Sequence, residues 1–352
     1  MSDSSAHRFS CILAMLALFA SLVAFPARAA AQSRTKTTRA PAAAVPPAYK
    51  GAIVMNAAGG QVLFEDNADS AAPPASITKL MTFLVVHDAI KAGRINPDTP
   101  VAVTSEDARI GGTRVRLKQG EVFTVDELLH ALMIQSANDC AHALAHAAAS
   151  GREEFVALMN ARAQSLGMKN TTFRTPHGLP PPSRRDADGD LTTPRDIALL
   201  SLALIRETDI LKYTSIRLRE FGARTRPDPV MMKNHNNLLA KIAGVDGLKT
   251  GFTRNAGYCL AATAHRDGNR LIIVTLGSPD SKTRDLKIAA LFEHYFAELP
   301  SSPISAAPVT AAPPPPSSPR PAAPPPSAPG NSTAPPPRSE PALNPDGPDI
   351  RF

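Results

Sequence analysis

The stretch GLKTGFTRNAGYCLAATAHRDGNRLIIVTLG, residues 247–277, decides the fold. It holds three runs of strand length and character, Gly247–Thr253, Ala256–His265 and Arg270–Gly277. Arg254-Asn255 joins the first two and Arg266-Asp267-Gly268-Asn269 the second pair, both built from turn-forming residues. A helix at about 282–298 follows. At the other end, Ala52–Met55, a turn at Ala58–Gly60 and Gln61–Phe64 read as a β-hairpin. Between these strand-rich ends the pattern is helical. A helix is expected at about 76–92, closed by Gly93, followed by strand and turn signals through Leu117 and by further helices at 124–134, 138–150 and 152–166. Thr193-Pro194 opens another, because proline fits a first turn, and its run IALLSLALIRE is apolar enough for the core. Strands at both ends with helices between them predict an α+β fold. Its antiparallel sheet is built from N- and C-terminal strands and flanked by helices, with a helical subdomain inserted.

The chain ends differ in kind from this middle. Residues 1–29 read as a signal peptide: His7 and Arg8, an apolar run at 11–25, and the small-x-small site Ala27-Arg28-Ala29. Residues 30–48 form a linker, 49–299 the catalytic domain, and 300–352 a proline-rich tail. That tail cannot bury enough apolar surface to offset its ordering entropy, so it is expected to be disordered. It is no amphipathic helix, and no strong membrane anchor is expected. A periplasmic or secreted protein follows. An oxidising compartment permits a bridge between Cys140 and Cys259, but two small buried hydrophobes are the commoner reading. The net charge of +7 is modest and tryptophan is absent, so nucleic-acid binding has no support.

Within the core, Ser76-Ile77-Thr78-Lys79 places a hydroxyl and an amine on one helix face, ahead of an apolar run. Such a spacing arises about once by chance in a chain this long, and Ser33-Arg34-Thr35-Lys36 is a polar decoy. A serine becomes a nucleophile only when something takes its proton. Lysine can do so only when neutral, which burial or a neighbouring cation enforces. The apolar surroundings supply the first condition. Lys249, in Lys249-Thr250-Gly251 on the first late strand, supplies the second. Gly251 there leaves room for a substrate backbone. Ser136-Ala137-Asn138 adds a second hydroxyl and an amide. Each tripeptide also has a structural reading, as a cap or a turn. Their joint occurrence on a helix, a loop and a strand favours chemistry.

Ser-x-x-Lys, Ser-x-Asn and Lys-Thr-Gly together resemble the signature set of penicillin-binding proteins and serine β-lactamases. ASITKLMT, IQSANDCAHALA and VDGLKTGFTRNAGYCLAATA, with TPHGL and TTPRDIALL between them, look like the low-molecular-mass D-alanyl-D-alanine carboxypeptidases. The resemblance spans residues 49–299 and implies a β-lactamase/transpeptidase-like fold. It implies a serine-type peptidase acting on peptidoglycan stem peptides, inhibited covalently by β-lactams, with no cofactor or metal. Ser76 would be the nucleophile, Lys79 its base and Ser136 the relay toward the leaving nitrogen. Asn138 would hold the acyl side of the substrate. Lys249 would keep Lys79 neutral, and Thr250 would bind the terminal carboxylate. The backbone N–H groups of Ser76 and Phe252 would form the oxyanion hole. Arg284, in GSPDSKTRD, would pair with the substrate carboxylate.

Rival readings are a D,D-endopeptidase acting on cross-links and a non-catalytic wall-binding or antibiotic-trapping protein. A class A β-lactamase is disfavoured: TPHGL stands where a Glu-x-x-x-Asn loop belongs, and the middle motif is Ser-Ala-Asn. His142-Ala143-Leu144-Ala145-His146 has zinc-site spacing, but alanine replaces the glutamate, so both read as ordinary helix residues. His235, isolated in KNHNNLL, reads as structural.

Overall fold

The computed structural model describes residues 47–300. The expected signal segment, nearly all of the linker and the tail from residue 301 lie outside the described residues. Strands β1 (Gly51–Asn56) and β2 (Gln61–Asp66) form the expected hairpin. A 3-10 turn, Ala75–Thr78, leads into α1 (Lys79–Lys91). Then follow β3 (Pro100–Ala102), α2 (Ser105–Arg109), β4 (Val122–Thr124), α3 (Val125–Ile134), α4 (Asn138–Ala148) and α5 (Arg152–Ser165). Helix α6 (Pro194–Glu207) is capped by the Thr193 hydroxyl, which accepts from the Asp196 N–H, and carries Pro194 in its first turn. After α7 (Leu211–Thr214) come β5 (Leu218–Phe221), β6 (Val230–Lys233), β7 (Val245–Thr253), β8 (Gly257–Arg266), β9 (Asn269–Ser278) and α8 (Ser281–Glu298).

The main sheet is five-stranded and antiparallel, in the order β2-β1-β9-β8-β7. The first and last strands of the described residues therefore meet at its centre, with Gly51 opposite Leu276. Alternate residues of β8 and β9 serve two cores. Ala261, Ile272, Val274 and Leu276 join the large core that contains α1 and α6. Leu260, Ala262, Leu271 and Ile273 face the smaller core with Ile288 and Phe292 of α8. Cover on both faces explains why Leu271–Leu276 is nearly all apolar rather than alternating.

Of two short ribbons, β3–β4 and β5–β6, only β3 falls where strand signals were read, and neither β4 nor the β5–β6 pair was foreseen. Their strands have three and four residues, and several of their side chains are exposed, so they carry little alternation to read. The first motif also differs from expectation. Ser76 stands on the 3-10 turn, and the α-helix proper begins at Lys79.

Candidate active site

Ser76 lies in the first turn after Pro74, where the opening N–H groups of a helix have no intrahelical partner. Three residues later Lys79 opens α1, fully buried. Its Nζ lies 3.0 Å from Ser76 Oγ, 2.6 Å from Asn138 Oδ1 and 2.8 Å from the His177 carbonyl oxygen. A neutral amine has two N–H donors and one lone pair. Asn138 and His177 take the two donors, which leaves the lone pair to accept from the serine hydroxyl. Burial first, and then the charge of Lys249, hold the Lys79 ammonium well below its ordinary range. Lys249 is buried too, and its Nζ donates to the Thr250 carbonyl at 3.0 Å. Burial, followed by the Arg284 cation, pulls it down to about 7. A carboxylate arriving beside Lys249 favours the ammonium form again.

Ser136 sits between α3 and α4 in the left-handed region, with φ of 63°. Its buried Oγ has no hydrogen-bond partner within the protein. A strained residue with an unspent buried hydroxyl is the kind of feature that marks functional sites. Asn138 opens α4 and is fixed at both ends of its amide, since Nδ2 donates to the Gly111 carbonyl at 2.8 Å. The neighbouring Asp139 accepts from the Val115 and Leu117 N–H groups, which ties the approach loop to α4.

A cavity of about 310 Å³ opens above this cluster, lined by Ser76, Thr250, Gly251, Phe252 and Arg284. Lys79, Ser136, Asn138 and Lys249 are not part of that lining. Arg284 is 3% exposed rather than a surface arginine. Its guanidinium donates twice to Asp285 Oδ1, at 2.9 and 2.7 Å, and once to the Cys259 carbonyl at 3.3 Å. Phe252 is half exposed and lies against Tyr258, with ring centroids 4.3 Å apart and planes tilted by 33°.

Gly251 has a reason the sequence did not disclose. A Cβ there would stand 2.6 Å from the Pro74 carbonyl oxygen. The missing side chain lets the Ser76 turn press against β7. Gly178 does the same from the other flank: its Cβ would lie 1.9 Å from the Ala75 carbonyl, at φ of +79°. The TPHGL segment thus reaches the site through backbone, with Pro176 accepting from the Thr82 hydroxyl at 2.6 Å.

His235 corrects an expectation. It faces the cavity, beside Asn237 and Thr113. The cavity walls, then Lys249 and Lys79, push its imidazole down to about 4, so it is neutral at physiological pH. Asp190 was also missed. It is buried and accepts from the Thr78 hydroxyl at 2.7 Å and from the Arg174 and Thr175 N–H groups. It thereby locks the turn that carries Ser76. In sequence it is one aspartate of the polar run DADGD, and only burial sets it apart. His142 and His146 are more than ordinary helix residues. Both bond to buried Asp107, at 2.6 and 3.0 Å. Among the described residues no group of three or more His, Cys, Asp or Glu side chains is placed to hold a metal ion.

Residues 36–280 match the family model described as D-alanyl-D-alanine carboxypeptidase. The chain is 41% identical over 239 residues to the D-alanyl-D-alanine carboxypeptidase DacC of Escherichia coli, covering 66% of this chain and 57% of that protein. It is 32% identical over 255 residues to DacF of Bacillus subtilis, covering 72% and 64%. The chain thus spans about three fifths of the length of these curated relatives. Penicillin-binding protein D2 of Listeria monocytogenes, solved in its ampicillin-bound form, superposes with a TM-score of 0.62 at 31% identity, over 72% of this chain and 98% of that one. Penicillin-binding protein 6B of Escherichia coli gives 0.64 at 34% identity, over 72% and 80%. With the motifs, the sheet order and the family model in agreement over the same residues, the chain belongs to the D-alanyl-D-alanine carboxypeptidase family.

Proposed function

We propose that this protein removes the terminal D-alanine from peptidoglycan pentapeptide stems through an acyl-enzyme on Ser76, and that β-lactams acylate the same serine. One observation carries the reading: a buried amine 3.0 Å from a serine hydroxyl, with its two remaining contacts spent on carbonyl oxygens. Lys79 takes the Ser76 proton as Oγ attacks the penultimate D-alanyl carbonyl. The backbone N–H groups of Ser76 and Phe252 hold the developing oxyanion. Ser136 passes a proton to the leaving nitrogen, D-alanine departs, and water hydrolyses the ester. Lys249, Thr250 and Arg284 hold the terminal carboxylate, and Asn138 steadies Lys79 and the acyl side. The ampicillin- and cefotaxime-bound forms of the Listeria protein support the β-lactam half of the proposal.

The reaction takes place outside the cytoplasm, where its substrate is, in keeping with the signal-like residues 1–29. No helix among the described residues is long and apolar enough to cross a membrane. The test is D-alanine release from a pentapeptide ending in D-Ala-D-Ala, by the purified protein and its Ser76→Ala variant, alongside labelling with a fluorescent penicillin. Release and labelling that both vanish in the variant support the proposal. Labelling without release moves the natural substrate to a different D-alanyl bond. Neither, from folded protein, favours a non-catalytic wall-binding role.

A further inference from the structure

The segment 111–117 runs beside the candidate site without belonging to a helix or a strand. It holds Asn138 at two points. The Gly111 carbonyl accepts from Asn138 Nδ2 at 2.8 Å, and the Thr113 carbonyl from the Asn138 N–H at 2.8 Å. Gly112, between them, comes so close that a Cβ there would lie 2.5 Å from the same Nδ2. Asn138 Oδ1 in turn lies 2.6 Å from Lys79 Nζ. A backbone outside any sheet must still satisfy its N–H and C=O groups. Two side chains of opposite charge do so here. The Asp139 carboxylate accepts from the Val115 and Leu117 N–H groups at 3.3 and 3.0 Å. The Arg226 guanidinium donates to the Val115 and Arg116 carbonyls at 2.9 and 3.1 Å. Arg116 has a φ of 57°, a strained conformation that persists only where its surroundings impose it.

Arg226 belongs to the loop between β5 and β6, 111 residues after Val115. Its side chain is 8% exposed. The guanidinium lies 5.0 Å from the Phe221 ring centroid and 5.2 Å from that of Phe123. Its remaining donors meet Glu121, Nε at 2.9 Å from Oε1 and Nη2 at 2.5 Å from Oε2. Gly222, at φ of +75°, makes room for it, since a Cβ there would stand 2.8 Å from Arg226 Cδ. A planar fork can serve one carboxylate and two carbonyls at once, and an ammonium cannot.

We infer that Arg226 is a positioning residue for the acylation of Ser76. It fixes segment 111–117, the segment fixes the Asn138 amide, and the amide orients the Lys79 amine. The inference rests on the reaction proposed above, in which Lys79 is the base. Arg226 itself touches no reacting atom and does not line the cavity that opens on Ser76.

The test compares the full chain carrying Arg226→Met or Arg226→Lys with the full chain carrying Arg266→Met. Arg266 is a matched control. Its guanidinium donates to both Glu293 oxygens, at 3.1 and 2.8 Å, and to the Ala243 carbonyl, and it lies 4.8 Å from the Phe296 ring centroid. It does not line the catalytic cavity either. Hydrogen exchange read by mass spectrometry needs no substrate. The amides of 115, 117 and 138 exchange about tenfold faster or more in both Arg226 variants, as local opening allows, and at the unmutated rate in Arg266→Met. Acylation by a fluorescent penicillin, per folded molecule, falls about tenfold or more in both Arg226 variants, as a small misplacement of a reacting group allows. In Arg266→Met it stays within about twofold, as expected for a distant site. Glu121→Gln loosens the same guanidinium from its other side and gives a smaller effect of the same kind; it serves if the Arg226 variants do not fold. The inference is overturned if exchange at these amides is unchanged, if acylation is unchanged, if Arg226→Lys restores both, or if Arg266→Met slows acylation equally. D-alanine release by the unmutated protein reads the carboxypeptidase proposal separately. Its absence, with the Arg226-specific effects intact, sinks that proposal and leaves the positioning role standing.

Discussion

In the proposed reaction Lys79 concentrates the chemistry in one side chain. A buried amine surrounded by carbonyl acceptors is a base only while it lacks a proton. β-Lactam acylation is therefore expected to fall as the pH drops through the lowered range of Lys79. Lys79→Arg, which cannot deprotonate, should reduce the acylation rate by about a hundredfold or more while the protein stays folded, read by stopped-flow labelling with a fluorescent penicillin. Lys249 offers a thermodynamic check. Its folded value is about 7 against an ordinary 10.5. Between those values the unfolded chain binds more protons than the folded one, so stability rises with pH across that window. The urea midpoint should climb from pH 7 toward 10, and Lys249→Met should flatten the climb. Ser76, Lys79, Ser136, Asn138 and Lys249 were legible because their spacing needs only a helix, a loop and a strand to give it sense. His235 and Asp190 were not. A histidine between asparagines and an aspartate in a polar run show their roles only once distant segments pack around them.

The elements are placed by close approach as much as by pattern. Strand β7 can carry Lys249 and Thr250 beside Ser76 because Gly251 has no side chain to hold the turn away. Gly251→Ala should cost about 1–3 kcal/mol of stability, as overpacking does, and should slow acylation. Thermal unfolding and penicillin labelling of the same variant check both. Phe292 of α8 is a contrasting case, fully buried under the sheet but away from the cavity. Phe292→Ala should cost about 3–5 kcal/mol and leave the acylation rate of the folded molecules unchanged. The long elements were readable from periodicity and caps, as Thr193-Pro194 shows for α6. Strand β4 and the β5–β6 ribbon escaped because three or four half-exposed residues hold no period. The 3-10 turn at Ser76 escaped because its Ser-x-x-Lys spacing suits an α-helix equally well.

At the scale of the molecule, β1 pairs with β9 across more than two hundred residues, so the sheet closes only when both ends of the domain are present. The α+β class was legible from those ends, whereas the order β2-β1-β9-β8-β7 required the structure. Since both cores lie within residues 47–300, a fragment of that span should unfold in one cooperative transition and retain penicillin labelling. Denaturant melts followed by two probes check the first point, and gel fluorescence the second. Cys140 and Cys259 are both fully buried and unpaired, one in the helical part and one in the sheet. Burial raises both thiols, Cys259 to about 11, so neither reacts while the fold is closed. They are a pair of built-in clocks. Mapped by mass after exposure to an alkylating reagent, equal labelling rates at the two positions mean that helices and sheet open together. Unequal rates identify which half of the molecule lets solvent in first.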